Sequence, residues 1–268
     1  MEVSQPLIMG ILNITPDSYY SESRVSSVDQ ALGVAEQMLK DGASILDIGG
    51  QSSRPGSDRI SSIDELNRVF PIVKAIRKHF PETWISVDTY FADVAKSSID
   101  IGVEIINDIS FGEDDPQMLL AIANRDITYI GMHKKGNPKL MQESPHYDSV
   151  VDEVFQYLID RSNAFKKAGV RNIWIDPGFG FGKTIDHNYQ LFSNLNLFCQ
   201  SEFGVLVGIS RKSMIYKLLE INAEESLNAT SALNLLALEK GAKILRVHDV
   251  KAAKEVLKLH DALHNFAQ

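Results

Sequence analysis

Eight short apolar runs, each followed by a longer stretch of helical spacing, constrain this chain more than any other feature. The runs are LIMGILN (7–13), SILDIGG (44–50), WISVDT (84–89), EIINDIS (104–110), TYIGMH (128–133), NIWIDPG (172–178), GVLVGIS (204–210) and KILRVHD (243–249). Most are almost continuously apolar rather than alternating, the pattern of parallel strands covered on both faces. Between them, Val28, Ala31, Leu32, Ala35, Met38 and Leu39 recur at helical spacing in 27–41, and Val150, Val151, Val154, Phe155, Leu158 and Ile159 do so in 149–168. Four helical stretches end in Gly42-Ala43, Gly102-Val103, Gly169-Val170 and Gly241-Ala242, each just before a strand. Glycine there predicts a left-handed cap that turns the chain sharply into the strand.

Eight β-then-α units in 268 residues fit a (β/α)8 TIM barrel, typically about 250 residues, as a single domain over 1–268. An open doubly wound sheet is the alternative. Its usual mark, a glycine-rich turn after the first strand, is absent, because that strand runs into Asn13-Ile14-Thr15-Pro16-Asp17-Ser18. The long loops 14–26 and 50–61 read as covers over one end.

Charge narrows the partners. Asp and Glu total 35 against 27 Lys and Arg, a net charge of −8. Binders of nucleic acid or anionic membrane need a basic surface, so neither is expected. The single cysteine, Cys199, cannot form an intrachain disulfide and suits a reducing, cytoplasmic setting. No run approaches the roughly 18 apolar residues of a membrane span. A small-molecule ligand is left, and an anionic one is compatible if cations gather locally.

They do gather, at the C-terminal ends of the runs. Those ends read Asn13, Gly50-Gln51-Ser52-Ser53-Arg54, Asp88-Thr89, Asn107-Asp108, Met132-His133, Asp176-Pro177, Ser210-Arg211-Lys212 and Arg246-Val247-His248-Asp249. A single polar strand end is usually a turn residue. Eight in register match the face where barrel active sites are built. Asp88, Asn107 and Asp176 offer acceptors, whereas Arg54, Lys212, Arg246 and His248 offer donors. The expectation is a two-halved mouth for a ligand with a donor-rich ring at one end and an anion at the other.

Other candidates are weaker. Gly178-Phe179-Gly180-Phe181-Gly182-Lys183-Thr184 resembles a P-loop, but Pro177 stands where the first glycine is required. The segment reads instead as a flexible turn beneath Asp176, and replacing Lys183 is expected to do little. His260 and His264 have metal-ligand spacing but no third ligand nearby in sequence, so they read as a solvated helix face. Lys134 and Lys135 read as exposed loop residues, and Cys199 as inert packing.

The motifs MGILNITPDS (9–18), DIGGQSSRPG (47–56), SVDT (86–89), INDIS (106–110), MHKKGNP (132–138), DPGFGFGKT (176–184), GISRKS (208–213) and RVHDV (246–250) stand in one collinear order. In that order the chain resembles the dihydropteroate synthases, pterin-binding barrels of folate biosynthesis and sulfonamide targets, over residues 8–255. The resemblance implies condensation of (7,8-dihydropterin-6-yl)methyl diphosphate with 4-aminobenzoate. It implies that Asp88, Asn107 and Asp176 hold the pterin edge, with Lys212 against the ring. Asn13 would be associated with Mg²⁺, and Arg246 and His248 would hold the diphosphate. Ser53, Arg54 and Pro55 would close over the substrates, Ser213 would meet the aminobenzoate carboxylate, and the enzyme would be a homodimer. Lys212, Arg246 and His248 are the implied catalytic residues.

The chain departs from that family in two loops. Tyr19-Tyr20-Ser21-Glu22-Ser23 stands where Phe-Ser-Asp-Gly-Gly is usual, and Gln51 stands where glutamate is common. Two other readings are a pterin-binding methyltransferase-like barrel and a paralogue that binds pterin without condensing it. The former has no need for Arg246, His248 or the Ser210-Arg211-Lys212 run.

Overall fold

The structure, a computed structural model, describes residues 3, 5–14, 24–51, 59–136 and 145–265. Ser53, Arg54, Pro55 and the segment Tyr19-Tyr20-Ser21-Glu22 lie outside the described residues. Eight strands appear where the apolar runs predict them: β1 Leu7–Asn13, β2 Ile45–Gly49, β3 Trp84–Asp88, β4 Ile105–Asp108, β5 Thr128–Met132, β6 Asn172–Asp176, β7 Gly204–Val207 and β8 Ile244–Val247. They are parallel and joined in sequence order, and β8 pairs with β1 to close the barrel. This is the (β/α)8 topology, and the open-sheet alternative is excluded.

The helices form the outer ring: α1 Arg24–Asp41, α2 Ser62–His79, α3 Ala92–Asp100, α4 Met118–Ile122, α5 Val150–Lys167, α6 Ile185–Ser193, α7 Leu195–Cys199, α8 Ser213–Tyr216, α9 Leu227–Glu239 and α10 Val250–Asn265. All four predicted cap glycines have positive φ, at 104°, 90°, 101° and 103° for Gly42, Gly102, Gly169 and Gly241. Each is followed by the same bond: the next N–H reaches back to the helix, as in Ala43 to Met38 at 2.9 Å and Ala242 to Ala237 at 3.0 Å. One repeated turn thus delivers four helices into the strands β2, β4, β6 and β8.

Strand side chains alternate between two environments. Outward residues such as Leu46, Ile48, Ile85, Val87, Ile106, Ile175, Val205 and Leu245 pack with the helices in the main core. Inward residues Met9, Ile45, Ile105, Ile130, Trp174, Leu206 and Ile244 form a second, separate buried cluster that fills the barrel at its N-terminal end. On β2, β4, β6 and β8 this apolar floor lies two residues below a polar or charged inward position.

Candidate active site

Two residues beyond the floor, the inward positions of four strands become polar. Ile45 is followed by Asp47, Ile105 by Asn107, Trp174 by Asp176 and Ile244 by Arg246. Asp47 is fully buried. Its Oδ1 accepts from Ser86 Oγ at 2.6 Å, and its Oδ2 accepts from Asn107 Nδ2 at 3.2 Å and Arg246 Nε at 2.6 Å. Arg246 Nη2 donates to Asp88 Oδ2 at 2.7 Å. Side chains from β2, β3 and β8 are thereby joined through one guanidinium, and Asn107 of β4 joins them through Asp47.

Burial pushes the Asp88 carboxyl up to about 7 although Arg246 opposes the shift, because Asp47, Asp108 and Asp176 crowd it with negative charge. For Arg246 burial works against the charge, but Asp47 and Asp88 outweigh it and hold the guanidinium above its ordinary range. Asp176 is likewise raised by burial, with Lys212 opposing, and its Oδ1 accepts from the Gly178 N–H at 2.7 Å. Burial lowers Lys212 to about 8 against the pull of Asp176. Its Nζ donates to the Phe179 carbonyl at 2.5 Å and lies 4.7 Å from the Phe181 ring centroid. Asp88, Asp176, Lys212 and Arg246 each feel one another's charge, so they share one mouth.

The two-halved arrangement expected from the sequence is corrected here. Asp47, Asp88 and Asp176 stand on β2, β3 and β6 and the cations on β8 and after β7, but β8 neighbours β1 and β7 in the closed ring and Arg246 reaches across to Asp47 and Asp88, so the two halves meet in one ion-paired network. His248 is exposed, with Ser210 Oγ 3.1 Å from its Nδ1. That hydroxyl also accepts the His248 backbone N–H at 3.2 Å, so Ser210 holds both the backbone and the ring of His248. Arg211, at φ 56°, grips Asp249 through Nε and Nη2 at 2.9 and 2.7 Å, tying the loop after β7 to that after β8. Lys212 and Ser213 follow directly, and Ser213 opens α8.

Asn13 ends β1 opposite Gly49. A Cβ on Gly49 would lie 3.3 Å from Asn13 Oδ1. Mg²⁺ retains several waters and substrate phosphate oxygens and needs only one or two protein oxygens. A lone amide oxygen at the strand end fits that demand, and Asn13 is the residue that would hold the ion.

Three readings of the sequence change. Lys183 is fully buried rather than part of a dispensable turn. Its Nζ donates to the Gly178 and Phe181 carbonyls at 2.9 and 3.1 Å and lies 3.0 Å from His133 Nδ1. It fastens the loop after β6 to the loop after β5, where a Cβ on Gly178 would fall 1.9 Å from the His133 oxygen. Lys134 is also buried and pairs with Asp114 at 2.5 Å; the loop is folded inward there. His260 and His264 acquire Glu239 as a neighbour from α9.

Sequence reasoning missed Asp47 and Glu65. Asp47 was legible as the one acid inside the apolar run of β2, but attention to strand ends passed over it. Glu65 in α2 is buried beneath the end of β2 and accepts from Gln51 Nε2 at 2.7 Å, while Gln51 Oε1 accepts from Tyr90 at 3.1 Å. Burial raises its carboxyl to about 7. An acid in the first turn of a helix ordinarily reads as dipole complementation, so no local signal marked it.

Comparison with known proteins agrees with this fold. Residues 9–248 match the family described as pterin binding enzyme. The dihydropteroate synthase of Haemophilus influenzae is 44% identical over 268 residues, covering 99% of this chain and 96% of that protein. A Yersinia pestis dihydropteroate synthase solved with a sulfonamide drug complex superposes with a TM-score of 0.91 at 39% identity, covering 99% of this chain and 96% of that one. The Burkholderia cenocepacia enzyme complexed with 7,8-dihydropteroate gives a TM-score of 0.89 at 37% identity, covering 98% and 93%.

Proposed function

The chain belongs to the pterin-binding enzyme family as a dihydropteroate synthase, and from that premise we propose how its mouth works. The reaction condenses (7,8-dihydropterin-6-yl)methyl diphosphate with 4-aminobenzoate to give 7,8-dihydropteroate and diphosphate. The observation that supports the residue assignment is the Arg246 bridge to Asp47 and Asp88 above the barrel floor, with Asp176 at the matching inward position of β6.

Asp176, with Oδ1 engaged by Gly178, offers its other oxygen to the amidine-like edge of the pterin. Asp88 and Asn107 receive the remaining ring donors, and Lys212 and Arg246 flank the ring. The C–O bond to diphosphate breaks ahead of C–N bond formation, and the positive charge left on the exocyclic carbon spreads into the pterin. Arg246 and the His248 imidazole stabilise the negative charge growing on the departing oxygens. Asn13 would hold Mg²⁺, which when bound would supply further charge stabilisation. The neutral aniline nitrogen of 4-aminobenzoate then attacks, and its surplus proton leaves to diphosphate or solvent. Ser213 meets the aminobenzoate carboxylate, and Ser53, Arg54 and Pro55 cover the site.

The same reading makes the protein a cytoplasmic homodimer; among the described residues no helix is long and apolar enough to cross a membrane. Leu236 of α9 and Leu259 and Leu263 of α10 are 49%, 60% and 57% exposed and offer an apolar face away from the mouth. Light scattering should give twice the chain mass.

The deciding assay supplies both substrates and Mg²⁺ and follows diphosphate release with mass spectrometry of the product. Diphosphate should appear only with all three present, together with dihydropteroate. Tight pterin diphosphate binding without turnover at saturating 4-aminobenzoate would identify the non-condensing paralogue instead.

A further inference from the structure

At the opposite end of the barrel, α10 carries an apolar stripe of Val250, Ala253, Val256 and Leu257 that packs inward. The next positions on that stripe are His260 and His264, one and two turns beyond Val256 and Leu257. Histidine there replaces the apolar residue the helical period calls for. The His260 side chain is only 13% exposed, and its ring lies 4.5 Å from that of His264, centroid to centroid.

A third group comes from a different helix. Glu239 is the last residue of α9, which packs along α10. Its Oε1 lies 3.7 Å from His260 Nε2 and 3.2 Å from His264 Nε2, and one ligand atom from each of the three residues falls within 4.8 Å of the others. Bonds of about 2.0–2.1 Å in tetrahedral geometry separate neighbouring ligand atoms by about 3.3 Å. The carboxylate oxygen therefore already stands near coordination distance from both imidazoles.

We propose that Glu239, His260 and His264 form a binding site for one divalent transition metal of the zinc class, with water completing the shell. Two imidazole nitrogens and one carboxylate oxygen suit such an ion and are a poor set for Mg²⁺. His260 Nδ1 is buried with no hydrogen-bond partner, and Asp261 Oδ1 lies 3.6 Å from it. The bound ion would tie the last turns of α10 to the end of α9, remote from the reacting groups.

The test is calorimetric titration of the metal-free full chain with zinc chloride, paired with thermal unfolding in zinc or in chelator. One zinc per chain at micromolar affinity, with a raised Tm, is the expected result. His264→Ala and Glu239→Gln, both at partly exposed positions, should weaken binding at least as much as outer-shell changes do, about 10–100-fold, and abolish the Tm gain. His260→Ala should do the same, and the other two variants decide the matter if it fails to fold. No zinc uptake, or uptake unchanged in His264→Ala and Glu239→Gln, would overturn the proposal and leave a plain histidine–carboxylate ion pair.

Discussion

Arg246 holds Asp47 through Nε at 2.6 Å and Asp88 through Nη2 at 2.7 Å, so one guanidinium bridges carboxylates from adjacent strands. Asp47 is wholly buried, and removing one partner of a buried pair leaves an uncompensated charge. Asp47→Ala should therefore lower stability by about 3–5 kcal/mol in urea unfolding, whereas Asp47→Asn, which keeps a hydrogen-bond acceptor, should cost less. Equal and small losses in both variants would remove Asp47 from the network.

Asp88 ionises near 7 because burial and neighbouring acids resist its charge. The form that accepts from pterin is the carboxylate, so protonation below that value should remove it. The expected kcat/KM for the pterin substrate falls below pH 7, approaching tenfold per pH unit. Asp88→Asn should flatten that limb; an unchanged limb would assign it to another group.

Glu65 gives the opposite kind of pH signature, in stability. Its folded value is about 7 against an ordinary 4.5, so between those values the unfolded chain gives up a proton that the folded chain retains. Rising pH therefore favours unfolding across that window and adds no further cost above it. Glu65→Gln removes the ionisation, and its stability relative to the parent should increase from pH 4.5 to pH 8 by up to about 3 kcal/mol. Urea unfolding at both pH values reads the difference, and a pH-independent difference would contradict the assignment.

Lys183 and Lys212 should separate cleanly. Lys183 Nζ is spent on the backbone carbonyls of Gly178 and Phe181 and on His133. Lys183→Ala should lower Tm, costing about 1–3 kcal/mol for buried acceptors left unpaired, and affect turnover only through that loop. Lys212→Ala should reduce both turnover and pterin affinity with a smaller change in Tm. The reverse pattern would exchange the two roles.

Asp176→Asn should cost about 2–3 kcal/mol of pterin binding, roughly 30–150-fold, through loss of a charge-assisted pair. Calorimetry with the pterin diphosphate reads this directly, and a change below threefold would take Asp176 out of the pterin contacts.

The barrel was legible because eight nearly continuous apolar runs and four cap glycines each carry a local signal of their element. The ring of polar strand ends was legible for the same reason, as chemistry recurring at one topological place. What stayed hidden depends on closure. That Arg246 on β8 faces Asp47 on β2 follows only when β8 returns beside β1, at a sequence separation that no periodicity encodes. Lys183 looked like a loop lysine because nothing in its neighbourhood reveals that the loops after β5 and β6 press together over it. Glu239 joined His260 and His264 by helix packing, again a tertiary fact.

The seven buried side chains of the floor, from Met9 round to Ile244, seal one end of the barrel. Substrates, product and stray water are consequently left to use a common doorway. Protecting the reactive carbon from hydrolysis then becomes a problem of traffic at that doorway rather than of any group deeper inside.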